Sequence, residues 1–310
     1  MIRIDPGPVR DPALNLAIEE HFVRALPREV RAILLYVNDP CVVVGKNQVV
    51  YAESDLAFLS ARGIPVVRRM SGGGAVWHDR GNLNFSILEP HRAGEPLRTR
   101  ERLMPIVDAL HRLGVAAELG PRNEILSGAY KVSGTAQFAG VASTFVHGTL
   151  LFDAELGNLR AALRVDRERV RSAAVASVPA AVANLRPSLP GIDTAESFAD
   201  RLLGALAHDA AIPRVTPAVA DWSRIRELAE TKYRSWDWTF GRSPRFTIRR
   251  GPDAAGREAE LTVEGGRIAA VRCAGVDAAG LEARLRGVRY AREEIESACG
   301  DPLTAAWLHD

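Results

Sequence analysis

The chain has 310 residues, 47% of them hydrophobic and 25% charged, the balance of an ordinary globular protein long enough for one large domain or two unequal ones. Of its 40 basic side chains only Lys46, Lys131 and Lys232 are lysines, and against 38 acidic residues the formal charge is +2, which does not predict a nucleic-acid or anionic-membrane partner. No stretch approaches the apolar run of a membrane span, the N-terminus lacks a signal-peptide core, and Cys41, Cys273 and Cys299 lack any CxxC spacing; export, a disulfide framework and a zinc knuckle find no support, and a cytoplasmic protein is expected.

Asp11-Pro12 supplies a capping carboxylate and a proline at the first helical position, and Leu14, Ala17, Ile18, Phe22 and Ala25 recur at helical spacing, which predicts an amphipathic helix. Ala32 to Val37 and Cys41 to Val44, separated by the turn residues Asn38-Asp39-Pro40, read as two buried strands of one sheet. A short helix over 53–62 ends at Gly63, and a strand over 65–70 runs into Ser71-Gly72-Gly73-Gly74. Val76 to His78 and Leu83 to Leu88 read as a second strand pair. A helix over 99–113 stops at Gly114, strands follow at 115–119, 130–137 and 144–152, and helical patterns dominate from Leu156 to Trp236.

Strands and helices interleave without a strict βαβ cycle, so the expected class is α+β with a mixed sheet. Near Gly241-Arg242-Ser243-Pro244 the pattern changes. Glu258 to Val263 and Arg267 to Val271 flank Gly265-Gly266 as a β-hairpin, with two short helices from about Ala278 and Ala291. Domains at 1–244 and 245–310 follow, the second with a thin core that leans on the first.

Chemistry concentrates in a few segments. Three consecutive glycines between strands let the backbone approach a ligand and expose N–H groups to phosphate oxygens, and Arg68 and Arg69 beside them suit phosphate or carboxylate. The spacing is neither a Walker A loop nor a GxGxxG fingerprint, and a bare glycine run is equally a flexible hairpin. Lys131, in the strand-like run Gly128 to Gln137, is one of three lysines in an arginine-rich chain, which tilts it from an edge lysine toward a site cation that neutralises developing negative charge. His147 reads as an isolated, structural histidine. His78 and Asp79 are adjacent in a strand and point to opposite faces, so they make no acid/base pair. Trp236-Asp237-Trp238 reads as an aromatic anchor.

In order along the chain, Asp11 to Glu20, Arg68 to Asn82, Gly120-Pro121-Arg122-Asn123-Glu124, Lys131-Val132-Ser133-Gly134, His147-Gly148-Thr149-Leu150-Leu151, Asn184-Leu185 and Trp236 to Gly241 together resemble the lipoate-protein ligases, and the tail after Pro244 resembles that family's small accessory domain. The resemblance implies a two-step reaction, in which lipoate and ATP give lipoyl-AMP and pyrophosphate and the lipoyl group then passes to a lysine of a carrier. By the same resemblance Arg69, Gly74, Ala75, Val76, Trp77, Asn123 and Lys131 are nucleotide-binding. Leu16, Ser71, Gly73 and His78 line the lipoate slot, and Lys131 bridges α-phosphate and carboxyl as the catalytic cation. Magnesium accompanies the phosphates, with no metal ligands assigned, and Glu124 stands where the family often has Asp.

The implied partners are the lipoyl domains of 2-oxoacid dehydrogenase E2 subunits and the glycine-cleavage H protein, and the expected state is a monomer. A lipoyl or octanoyl transferase on the same fold is the first alternative, although Cys41 lies in a Val-rich strand. A biotin ligase lacks support because its arginine-rich adenylate loop is not seen and the chain leaves no room for a helix-turn-helix domain. A catalytically silent lipoate or lipoyl-domain binder is the third.

Overall fold

The computed structural model describes residues 1–27, 29–92, 94–164, 169–208, 211–254, 256–274 and 278–309. Helix Pro12–Ala25 begins where its capping signal stands, with Asp11 accepting from the Leu14 N–H at 2.9 Å. It buries Leu16, Ala17 and Ile18, and also Asn15, Glu19 and Glu20, which need polar partners inside the protein.

That helix covers one face of a mixed six-stranded sheet ordered Thr135–Ala139, Ser143–Leu151, Asn82–Pro90, Ala32–Val37, Ile2–Ile4 and Arg214–Val215. The last three strands run parallel to one another and the other pairings are antiparallel. Alternation along Ala32–Val37 divides the core between the two faces. Leu34 and Tyr36 pack with Ile18 under helix Pro12–Ala25, whereas Ile33 and Val37 pack with Ile106 and Phe198 of helices Thr99–Arg112 and Ala195–Leu206. The α+β class with a mixed sheet is therefore observed.

Strand partners differ from the sequence expectation. Ala32–Val37 and Cys41–Val44 are both buried strands, but of different sheets: the corner at Asn38 turns the chain into a three-stranded sheet ordered Val66–Arg68, Cys41–Val44 and Val76–His78. The expected pair around Val76 to His78 and Leu83 to Leu88 separates in the same way, because the Asp79 turn sends Asn82–Pro90 back to the large sheet. The stretch from Leu156 to Trp236 is also less helical than its pattern. Between helices Leu156–Ala162 and Ala195–Leu206 lie a strand, Val170–Ser172, and an extended passage over 173–185.

Val170–Ser172 forms the edge of an antiparallel sheet completed by Phe246–Arg250, Glu258–Glu264 and Arg267–Ala274. The predicted hairpin is present, and a third helix, Pro302–His309, follows Ala278–Leu285 and Arg292–Cys299. Phe246, Leu261 and Tyr290 share one core with Val42, Val44, Tyr51 and Trp77 of the preceding chain. Arg68, fully buried, ties the same region together: it donates to the carbonyls of Gly45, Gln48 and Thr239 at 2.8, 2.8 and 2.7 Å, and its own carbonyl accepts from Trp238 Nε1 at 2.7 Å.

Candidate active site

A cleft of about 270 Å3 opens where the glycine turn, the edge of the three-stranded sheet and strands Tyr130–Ser133, Thr135–Ala139 and Ser143–Leu151 converge. Of the residues singled out in the sequence, Leu16, Arg69, Gly73, Gly74, Ala75, Val76, His78 and Lys131 line it. Ser71, Trp77 and Asn123 do not. Tyr36, Val43, Asn84, Arg122, Glu124, His147 and Thr149 complete the walls, and the segment from Val175 to Val178 forms the roof.

Arg69 is buried in the floor and mostly occupied in holding the turn. Its Nε donates to Ser71 Oγ at 2.9 Å, and its terminal nitrogens donate to the carbonyls of Val43, Gly72 and Gly74 at 3.1, 2.6 and 2.7 Å. Burial lowers its pKa to about 10, opposed by Glu19, which still leaves it a cation at neutral pH. Gly73 takes φ +84°, the left-handed region glycine alone enters without strain, and this carries the chain around the guanidinium.

Behind Arg69 runs a polar chain. Ser71 Oγ lies 2.6 Å from His147 Nε2, and His147 Nδ1 lies 2.8 Å from Glu19 Oε1, which also accepts from Ser86 Oγ. Arginine only donates and a carboxylate only accepts, so Ser71 Oγ accepts from Arg69 and the imidazole donates Nδ1–H to Glu19. Glu19, 1% exposed, thus holds Arg69 in place through two intermediates. His147 is an isolated histidine only in sequence. One face of helix Pro12–Ala25 supplies its partner, a juxtaposition no local pattern reveals.

Lys131 stands at the more open end. Its strand is fixed by the Lys131 N–H donating to Ala181 O at 2.9 Å and by its carbonyl accepting from Ala183 N–H at 3.2 Å. Its ammonium has no hydrogen bond or ion pair among the described residues. Burial lowers its pKa, Glu124 opposes the shift, and Arg122 and Arg69 add to it. The other lysines differ: Lys46 is exposed, whereas Lys232 donates to Glu20 Oε2 at 2.6 Å and sits 4.1 Å from the centre of the Trp238 ring. Lys131 is therefore a partly desolvated cation on the lining of the cleft, near Glu124 but in no ion pair or hydrogen bond among the described residues.

The remaining residues divide between scaffold and lining. Trp77 points away from the cleft, 1% exposed, with Nε1 donating to Asp79 Oδ2 at 2.7 Å. His78 lines the cleft while Asp79 braces the following turn, in keeping with their opposite faces. Asn123 has φ +64° and its carbonyl accepts from Thr135 Oγ1 at 2.7 Å, which fixes the loop that brings Glu124 to the wall.

The roof was not anticipated. Ser177 Oγ accepts from the Ala75 N–H at 2.8 Å and from Gln48 Nε2 at 3.1 Å, and the Ser177 N–H donates to Glu53 Oε1 at 3.1 Å. A Cβ on Gly74 would lie 2.8 Å from that hydroxyl, so glycine at this position admits the roof. The arrangement offers a cation, a turn with an N–H directed at a small polar group, and a buried apolar interior. These are means to hold two anions and an alkyl chain together.

Residues 11–207 match the model of the lipoyl protein ligase A/B catalytic domain. The chain is 39% identical over 251 residues to the lipoate-protein ligase LplJ of Bacillus subtilis, covering 80% of this chain and 76% of that one. The crystal structure of lipoate-protein ligase A bound with ATP is similar at a TM-score of 0.66 and 26% identity, over 77% of this chain and 98% of that chain. A bipartite lipoate protein ligase of Thermoplasma acidophilum, described with its E2 lipoyl domain, shares the fold at a TM-score of 0.65 and 24% identity, over 77% and 95% of the two chains.

Proposed function

The chain belongs to the lipoyl protein ligase A/B catalytic family, and from that premise we propose that it is an ATP-dependent enzyme that activates lipoate and transfers the lipoyl group to a carrier lysine. A carboxylate oxygen of lipoate attacks the α-phosphorus of ATP, the bond to the β-phosphate breaks, and pyrophosphate leaves. The ε-amine of the carrier lysine then attacks the acyl carbon, AMP departs, and the amine loses a proton. The observation that carries this reading is the unpartnered Lys131 ammonium on a cleft that also contains the glycine turn. Two anions must meet in the first step, and a part-buried cation with no hydrogen bond or ion pair among the described residues is pre-arranged for the charge that develops there.

Lys131 bridges the α-phosphate and the carboxyl oxygen. The Gly74 to Trp77 backbone receives the phosphates once the Ala75 N–H is released by Ser177, while Arg69 fixes that turn and offers it positive charge. Leu16, Gly73 and His78 line the acyl slot, whereas Ser71 braces Arg69 and Asn123 fixes the loop that carries Glu124. Magnesium enters with ATP. Glu124 is the one carboxylate among the described lining residues, which fits a cation held mainly by phosphates.

The carriers are lipoyl domains of 2-oxoacid dehydrogenase E2 subunits and the glycine-cleavage H protein. The enzyme acts as a cytoplasmic monomer, with 1–244 catalytic and 245–310 an accessory unit that shifts between the two steps. No helix among the described residues is long and apolar enough to cross a membrane. A thioester-forming transferase has less support: Cys41 is fully buried and burial raises its thiol pKa well above the ordinary value, while the other cysteines lie in 245–310. Lipoate-dependent ATP–pyrophosphate exchange, followed by lipoylation of an apo carrier domain, tests the reading. Absence of exchange with both lipoate and octanoate at saturating ATP overturns it.

A further inference from the structure

A second polar chain enters the cleft at its buried end. The Val9 carbonyl only accepts, so Asn15, whose Nδ2 is 3.1 Å away, presents its amide nitrogen there. The same Nδ2 donates to Asn38 Oδ1 at 2.8 Å, which fixes the Asn38 amide with its nitrogen toward His78 Nδ1 at 2.9 Å. That nitrogen is a donor, so His78 Nδ1 is an acceptor and the ring proton sits on Nε2. Both asparagines are fully buried, as a chain that sets a tautomer rather than hydrates a surface requires. Burial, with Arg69 and His147 nearby, lowers the His78 pKa to about 3, which keeps the ring neutral.

His78 Nε2–H has no partner among the described residues, and the ring lines the cleft together with Leu16, Val43 and Tyr36, all less than a tenth exposed. Lys131 and the glycine turn take the carboxylate and phosphates beneath the roof, whose Val175 and Val178 are 51% and 58% exposed. On the proposed function His78 lines the acyl slot, and with the carboxylate held at Lys131 the part of the substrate left for that slot is the far end of the chain. In lipoate that end carries two divalent sulfurs, which are weak acceptors; in a saturated acid of similar length it carries none.

We propose that Asn38, oriented by Asn15, is a specificity-setting positioning residue: it fixes His78 as an Nε2–H donor to the dithiolane sulfur and so favours lipoate over octanoate. The inference rests on the lipoate-activating reading. A buried N–H with no partner among the described residues penalises a ligand end that cannot accept from it, which is discrimination without any clash.

The test combines spectroscopy with acyl preference. Long-range 1H–15N spectra of histidine-labelled enzyme at pH 7 are expected to show His78 as the neutral Nε2–H tautomer, and Asn38→Leu to lose that signature. Pyrophosphate exchange then compares kcat/KM for lipoate and octanoate. The lipoate-to-octanoate ratio is expected to fall roughly three- to tenfold in Asn38→Leu and His78→Leu and to recover in part in His78→Gln, which keeps an N–H. Should Asn38→Leu fail to fold, the wild-type tautomer and the contrast of His78→Leu with His78→Gln decide alone. An Nδ1–H or charged ring in the wild type, or an unmoved ratio in folded variants, overturns the proposal. Wild-type enzyme without exchange for either acid removes the lipoate reading itself, and the proposal with it.

Discussion

Replacing Lys131 by methionine keeps most of the aliphatic stem and removes the charge. The ammonium makes no hydrogen bond or ion pair with the described protein, so the substitution strands no partner. Its pKa is lowered by burial, which means the charged form is less welcome in the folded chain than in the unfolded one. A group of this kind costs stability at neutral pH, and its removal relieves that cost. The expected melting temperature is therefore unchanged or raised.

Activity moves in the other direction. A unit charge about 4 Å from the reacting oxygens, at an effective dielectric near 20, contributes about 4 kcal/mol, and loss of one pre-arranged donor typically costs about 3 kcal/mol. At 1.36 kcal/mol per decade, adenylation slows roughly 10² to 10³-fold. Pyrophosphate exchange beside a thermal melt measures both quantities. Exchange within tenfold of wild type, or a melting temperature several degrees lower, would refute the assignment: the first removes the lysine from the chemistry, the second makes it a structural residue.

Ser71→Ala leaves Arg69 Nε and His147 Nε2 without their shared partner, and is expected to cost about 1–3 kcal/mol in urea denaturation; an unchanged midpoint would show that the Glu19 chain does not brace Arg69. Gly74→Ala places a Cβ 2.8 Å from Ser177 Oγ, so KM for ATP is expected to rise about tenfold, with partial recovery when Ser177→Gly is added. No recovery would place the clash elsewhere. For His78 the folded pKa of about 3 lies below the ordinary 6.5, so its contribution is fully present above pH 6.5 and is lost as pH falls toward 3, with a slope of up to about 1.4 kcal/mol per pH unit. His78→Leu should flatten stability measured between pH 6 and 4, and an identical acid slope in the two proteins would contradict burial as a neutral ring.

Chemistry that demands an unusual residue is visible in the sequence. Three glycines in a row mark a backbone that something approaches, and a lysine retained among arginines marks a place where a compact cation matters. Strands are equally visible as apolar runs, but their partners are not. Cys41 pairs with His78 and Ala32 with Leu88, and such distant registers depend on which faces find each other after collapse. Lys232 takes its meaning from Glu20 and Trp238, and His147 from Glu19, contacts that a linear reading discounts. The roof is hardest to foresee. Its residues carry no period, and it lies where it does because Ser177 finds Ala75, Gln48 and Glu53.

That roof is strung between two anchors. At one end Val170–Ser172 is hydrogen-bonded into the sheet of Phe246–Arg250, and at the other Ala181 and Ala183 clasp the backbone of Lys131. About eight residues separate the anchors, an extended reach of roughly 30 Å at most. The Ser177 clasp and the strand that carries the lysine are therefore linked through one segment of chain to the C-terminal sheet. The part of the molecule farthest from the chemistry in sequence is in this way rigged to its cover.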